Sequence, residues 1–293
     1  MNTIRQILFV INPNAGNTDK EELLEYVSAT FKEQAIDLKI YKTTGEDDEK
    51  AIKAILEEHS FDRILVAGGD GTIHKMANIL MDFSIPMGIF PEGSANGLAY
   101  NLNLPNTYEE QLEVALFGKI LNLDVLKMNE NLCIHIADFG VNAELIKNFE
   151  EGTIRGKIGY ALKSIPTLLN TAYPFTFEIK ANGINQTKEG AVLAIANATK
   201  YGTGATINPE GKMNDGLFEI ILFKNLNIID IIKTLTNINN LDPDFAEVIS
   251  TSKAEIICKS PVPFQIDGEY LGEIKKLDVS VLKRKIAVLV PED

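Results

Sequence analysis

Gly68-Gly-Asp-Gly-Thr72 packs three glycines, a carboxylate and a hydroxyl into five positions. Glycines without Cβ let a phosphoryl group approach backbone N–H groups closely, and a helix start beyond them adds unpaired donors and partial positive charge. Asp70 can reach a metal or a ribose hydroxyl; Thr72 can cap the following helix or donate to a phosphate oxygen. A plain strand-to-helix turn with a capped helix would use the same residue types. Two further stretches have similar chemistry. Asn12-Pro-Asn-Ala-Gly16 is a second turn, with Asn12 and Asn14 as polar groups. Pro91-Glu-Gly-Ser-Ala-Asn96 clears space at Gly93 and Ala95, while the Ser94 hydroxyl can meet a phosphate or nucleotide and Asn96 offers a neutral donor and acceptor. Toward the other end, Asp267-Gly-Glu269 sets two carboxylates astride a glycine, and Asp215 lies in a turn before a strand. Both are also ordinary hairpin chemistry. As a general base, no histidine or cysteine here is a better candidate than this pair of carboxylates.

The elements that must position these groups follow from periodicity. Gln6–Ile11 reads as a buried strand, a helix follows near residues 21–34, Ile36–Tyr41 is a second strand, and another helix runs to about His59. The apolar run ending at Gly68 is a third strand, Ile73–Leu80 has helical spacing, and Met87–Pro91 is a fourth strand. Strands alternating with helices predict a mostly parallel sheet whose ligand lies at the strand C-termini. The glycine stretches and Thr43-Thr44 all fall at those ends. Around Leu121–Val125 helical periodicity gives way to short alternating stretches: Leu132–Ile136, Phe175–Ile179, Ala191–Ala196, Leu217–Phe223, Ala254–Cys258 and Leu277–Leu282. These predict a β-sandwich-like second domain with one helix at Ile158–Leu169. The expected division is 1–122 and 123–293, with the last residues free to return to the first domain.

With 293 residues and 45% hydrophobic composition, two cores are affordable. A net charge of −13 argues against nucleic acid as a partner and against tight electrostatic docking on anionic membranes. No apolar run approaches the ~18 residues of a membrane span, and no export signal precedes the first strand. A cytoplasmic protein with transient, peripheral membrane contact is expected. Cys133 and Cys258 sit in apolar runs without metal-ligand spacing, as buried free thiols would.

With the Asn12-Pro turn, the Gly68–Thr72 signature and the Pro91–Asn96 loop in view, the sequence resembles the diacylglycerol kinase catalytic-domain superfamily, which includes bacterial diacylglycerol kinases and sphingosine and ceramide kinases. The resemblance runs over nearly the whole chain. It implies a first domain like those of NAD kinases and phosphofructokinases, and an ATP-dependent lipid kinase using Mg²⁺. The nucleotide would meet Asn12, Asn14, Thr43, Gly68, Gly69, Asp70, Gly71, Thr72, Gly93, Ser94 and Asn96. Catalysis would fall to Asp70 with Asp267 or Glu269, since the family's general base lies in the Asp-Gly-Glu element. A structural Mg²⁺ would be held by Asp215 and the main-chain oxygens of Lys212 and Leu217. Phe139–Glu144 resembles the family's lipid-facing segment. Diacylglycerol is the leading acceptor. Gly97 stands where many bacterial members carry an acid, which keeps a sphingosine- or ceramide-type acceptor open, and Lys75 stands where an acid is usual. A homodimer is a possible assembly. The competing readings are a soluble-substrate kinase of the NAD type and a non-catalytic nucleotide or lipid sensor.

Overall fold

The computed structural model describes residues 4–16, 20–143, 173–201, 206–225 and 244–292. The expected helix at 158–169 lies outside them, as does Glu144. The chain divides into two compact units, Met1–Leu123 with Lys285–Asp293, and Asp124–Arg284.

In the first unit, β1 (Gln6–Ile11), α1 (Glu21–Glu33), β2 (Asp37–Lys42), α2 (Asp48–Glu58), β3 (Arg63–Gly68), α3 (Asp70–Leu80) and β4 (Met87–Pro91) alternate, followed by the short α4 (Gly97–Asn101) and by α5 (Tyr108–Phe117). The strands lie side by side in the order β2-β1-β3-β4, all parallel. Val288 adds a final parallel pairing at Met87. β1 and β3 are buried along nearly their whole length, as central parallel strands must be when both faces are covered. Helix α1 presents Leu23, Val27 and Phe31 at four-residue spacing, and they join Phe9, Leu65 and Phe90 in one core.

Helix α3 starts at Asp70, three residues before the helical spacing became visible in the sequence. Gly69 is fully extended, and the N–H groups of both Thr72 and Ile73 return to its carbonyl at 3.0 Å. Asp70, Gly71 and Thr72 are therefore the helix's first turn rather than a loop leading into it, and Thr72 is not the cap.

The second unit is antiparallel. β5 (Lys119–Met128), which runs into it from the first unit, forms a hairpin with β6 (Asn131–Cys133). β7 (Ile136–Gly140), β8 (Phe175–Ala181), β9 (Ile184–Gly190), β10 (Val192–Ala196), β11 (Phe218–Phe223), β12 (Ala246–Thr251), β13 (Lys253–Ile266) and β14 (Glu269–Val290) follow. One run of neighbours is β12-β11-β10-β7-β13. The other is β9-β8-β13-β14. β13 belongs to both because its ends pair differently: Ala254–Cys258 with β8, and Phe264–Ile266 with β7. Between them the register against β14 shifts from Ile257 to Val262, at a stretch holding Pro261, where the ladder is interrupted. That bend makes the sandwich-like corner. Phe139, Phe177, Phe218 and Phe264 fill the core inside it.

The expected strand Leu132–Ile136 is broken in two. Ile134 and His135 lie between β6 and β7, and their N–H groups point to a side chain instead of a neighbouring strand.

Candidate active site

Three loops meet at the C-terminal ends of β1, β3 and β4. Asn12 continues β1 by donating its N–H to the Ala67 carbonyl at 2.9 Å. Its side-chain amide donates to the Thr72 hydroxyl at 2.9 Å, and its side-chain oxygen accepts the Asn14 N–H at 3.0 Å. One asparagine thus ties the first turn to the start of α3 and folds its own loop. Gly69 and Gly93 stand back to back: a Cβ on Gly93 would lie 2.5 Å from the Gly69 Cα, and one on Gly69 3.1 Å from the Gly93 Cα. At Gly93 the other loop's backbone occupies the space of a side chain, and at Gly69 it leaves a tight fit. The Glu92 N–H donates to the Gly68 carbonyl at 2.9 Å. Asn96, in the left-handed region at φ 54°, folds the second loop upon itself: its side-chain oxygen accepts the Gly93 N–H at 2.7 Å, and its amide donates to the Gly93 carbonyl at 2.9 Å. Asp70 Oδ1 accepts the Leu98 N–H at 3.4 Å, a third tie between the loops.

No side chain caps α3. With the Thr72 and Ile73 N–H groups returned to Gly69, those of Asp70 and Gly71 remain at the open end of the helix with its partial positive charge. Ser94 is exposed beside them. Thr43 follows β2 and donates its N–H to Ile11 at 2.8 Å, whereas the Thr44 hydroxyl is engaged by the turn before α2, donating to the Glu46 carbonyl at 2.9 Å. Behind the second loop, Lys20 pairs with Glu92 at 2.5 Å with both side chains buried. Burial, and then its hydrogen bond to Glu92, push the Tyr108 phenol up to about 12. The structure thus gathers Asn12, Gly68–Thr72 and Gly93–Asn96 into one cluster, with Asn14 and Thr43 on its margin. Lys75 is exposed, so the departure there is a surface one.

The remaining candidates lie in the second unit. Asp267 and Gly268 both have positive φ, 49° and 91°, and form the two-residue turn between Ile266 and Glu269. The Asp267 carboxylate accepts N–H bonds from Ile134 (2.8 Å), His135 (3.0 Å) and Ile136 (3.1 Å), and the Cys133 thiol donates to it at 3.2 Å. The broken strand is therefore the seat of Asp267. Burial first, and the neighbouring Asp267 charge second, push the Cys133 thiol well up. Glu269 is exposed. Asp215 is exposed and accepts the Leu217 N–H at 3.0 Å. Its turn is fixed from beneath by Asp124, wholly buried, whose N–H donates to the Met213 carbonyl at 2.7 Å and whose carboxylate accepts from the Gly216 N–H (2.6 Å) and the Arg284 N–H (2.7 Å). Among the described residues no cluster of three or more His, Cys, Asp or Glu side chains could hold a metal. One carboxylate with two main-chain oxygens is nevertheless a hard-oxygen set of the kind Mg²⁺ accepts while keeping waters.

Sequence reading missed Asp124, Asp138, Lys20 and Glu92. The first two had a usable signal: each is an acid inside an apolar strand run, Leu123-Asp-Val-Leu126 and Ile136-Ala-Asp-Phe139, where a charge must be held by donors.

Residues 6–128 match the diacylglycerol kinase catalytic domain. Residues 136–290 match the YegS C-terminal NAD kinase beta sandwich-like domain, which alone covers more than half the chain. The chain belongs to the diacylglycerol kinase catalytic-domain family. It is 26% identical over 302 residues to a protein of Bacillus subtilis (strain 168) named "Diacylglycerol kinase", covering 99% of this chain and 98% of the relative. It is likewise 26% identical over 301 residues to "Probable lipid kinase YegS-like" of Klebsiella pneumoniae (strain 342), covering 100% of this chain and 98% of that one. A crystal structure titled as a diacylglycerol kinase from Bacillus anthracis str. Sterne superposes with a TM-score of 0.78 at 22% identity, covering 99% and 98% of the two chains, a likeness of fold. The family's two domains are the parallel α/β unit and the antiparallel sandwich-like unit described above.

Proposed function

We propose that this lipid kinase transfers the γ-phosphoryl group of ATP to the hydroxyl of diacylglycerol, giving phosphatidic acid. Family membership makes the chain a lipid kinase and implies ATP as the donor. The observation that carries the reading further is the back-to-back approach of Gly69 and Gly93, which leaves bare main chain from two loops beside an uncapped helix start. In this reading the β- and γ-phosphates lie against Gly68–Thr72 and Gly93–Asn96, with the Ser94 hydroxyl donating and Asn12, Asn14 and Thr43 at the edge. Asp70 orients the donor's phosphate end. Mg²⁺, when bound, offsets the charge that develops on the transferring group, and Asp215 with the Lys212 and Leu217 oxygens suits a second, structural Mg²⁺. Asp267 or Glu269 orients the acceptor hydroxyl and takes its proton. Asp267 is rigidly held by three N–H donors, whereas Glu269 is exposed and can swing. Positioning and electrostatics then supply most of the acceleration.

Gly97, buried at the start of α4 where many bacterial members carry an acid, keeps open a second acceptor class, a sphingoid base or ceramide. The lipid is met at a membrane surface, transiently; among the described residues no helix is long and apolar enough to cross one. Incubating the protein with labelled ATP and separate vesicles of diacylglycerol, sphingosine and ceramide tests the reading: labelled phosphatidic acid is expected, and labelling of only a sphingoid lipid transfers the assignment to the second class.

A further inference from the structure

Asp138 sits in the middle of β7 with none of its surface exposed, flanked by Ala137 and Phe139, and plays no part in the chemistry above. Phe139 faces the phenylalanine core, so Asp138 points from the opposite face of the strand. Its partner across the ladder is Gln265 on β13, itself 2% exposed. Asp138 Oδ2 accepts three side-chain donors: the Asn142 amide at 2.6 Å, the Gln265 amide at 2.6 Å and the Tyr201 hydroxyl at 3.0 Å. Oδ1 is buried with no hydrogen-bond partner among the described residues. The other end of the Gln265 amide is engaged as well, since its Oε1 accepts the Gly268 N–H at 2.8 Å. That N–H belongs to the peptide plane joining Asp267 to Gly268.

From this chain of contacts we infer that Asp138 is a positioning residue for phosphoryl transfer, acting through Gln265 to fix the Asp267-Gly268-Glu269 turn. The inference rests on the proposed role of that turn. An amide side chain has two ends, and only one orientation puts its NH₂ on Asp138 and its oxygen on the Gly268 N–H. A buried carboxylate enforces that orientation because it can only accept. Without it the amide is free to reverse and set NH₂ against N–H. The Asp267–Gly268 peptide then loses its anchor, and the Glu269 carboxylate beyond it changes direction relative to Asp267. Cys133 to Ile136 hold the Asp267 side chain, and Gln265 holds its backbone.

The test is steady-state kinetics of the full chain on diacylglycerol vesicles with Asp138→Ala, Gln265→Met, the double variant and Asp138→Asn. Each single loss is expected to lower kcat 10- to 100-fold with the KM for ATP within twofold. The double variant should be no worse than the poorer single. Asp138→Asn, which keeps an acceptor oxygen where Oδ2 stands, should restore kcat to within a fewfold of wild type. A kcat within twofold of wild type in Asp138→Ala or Gln265→Met, or losses that multiply in the double variant, would overturn the inference. If Asp138→Ala does not fold, Gln265→Met decides alone on the same threshold. Asp267→Asn and Glu269→Gln in the same assay keep the two readings apart. If neither lowers kcat, the turn is not the acceptor-side site and the proposed function falls with the relay. If either does while Gln265→Met and Asp138→Ala do not, only the relay falls.

Discussion

At the scale of single residues, the costly groups identify what the fold is protecting. Burial pushes the Asp138 carboxyl up to about 6, against the donors Asn142, Gln265 and Tyr201 that pull it down. The unfolded chain releases that proton near 3.8, so between pH 4 and 6 the native state binds more protons than the unfolded one. Stability therefore falls as pH rises through that window and is level above it, a loss of about 3 kcal/mol by linkage. Asp138→Asn cannot titrate. Urea unfolding of both proteins from pH 4 to 7 should show wild type declining relative to the variant up to pH 6 and running parallel beyond. Parallel curves throughout would mean that Asp138 is not buried as a carboxylate. Gly93 supplies a second case: a Cβ there would meet the Gly69 backbone at 2.5 Å, which a rotamer change cannot relieve. Gly93→Ala should lower stability by about 1–3 kcal/mol through overpacking, read as a fall in Tm, and raise the KM for ATP because both loops must shift.

At the scale of elements, the parallel strands and their order of helices were readable, because continuous apolar runs bounded by glycine leave few alternatives. The start of α3 was not. Gly71 and Asp70 are poor helix formers, and the turn they occupy is closed onto the Gly69 carbonyl and tied to Asn12 through Thr72. The break between β6 and β7 was equally hidden, since Leu-Cys-Ile-His-Ile reads as one strand until Asp267, more than a hundred residues later, takes three of its N–H groups. Contacts between loops can be tested as such. Thr72→Val keeps the volume and removes the acceptor of the Asn12 amide; a loss of about 1 kcal/mol is expected, seen as a rise in the KM for ATP of several-fold with kcat little changed. Lys20, just before α1, and Glu92, just after β4, form a buried pair, so Lys20→Met leaves a buried carboxylate without its cation. Destabilisation of about 3–5 kcal/mol follows, measurable by denaturant unfolding, and Lys20→Met with Glu92→Gln together should recover most of it.

For the molecule as a whole, composition sets an expectation about partners and says little about the acceptor. The net charge of −13 predicts repulsion from anionic vesicles at low ionic strength. Turnover of diacylglycerol should be higher in neutral than in anionic vesicles at 20 mM salt, with the difference closing at 0.5 M. The two-domain architecture was visible in the change from helical to alternating periodicity near residue 121, and the family match spans both halves. What the sequence could not show is how the acids are held: Asp267, Asp124 and Asp138 are each fixed by donors remote in the chain. The central claim, that bare main chain around Asp70 holds a triphosphate for transfer to diacylglycerol, is tested most directly by one assay. Labelled ATP is supplied with mixed vesicles containing diacylglycerol, together with NAD in solution, to wild type and to Asp70→Ala verified as folded. The account predicts label in phosphatidic acid with wild type and at least a hundredfold less with Asp70→Ala. Label in the soluble NAD pool with none in lipid, or equal lipid labelling by both proteins, would contradict it.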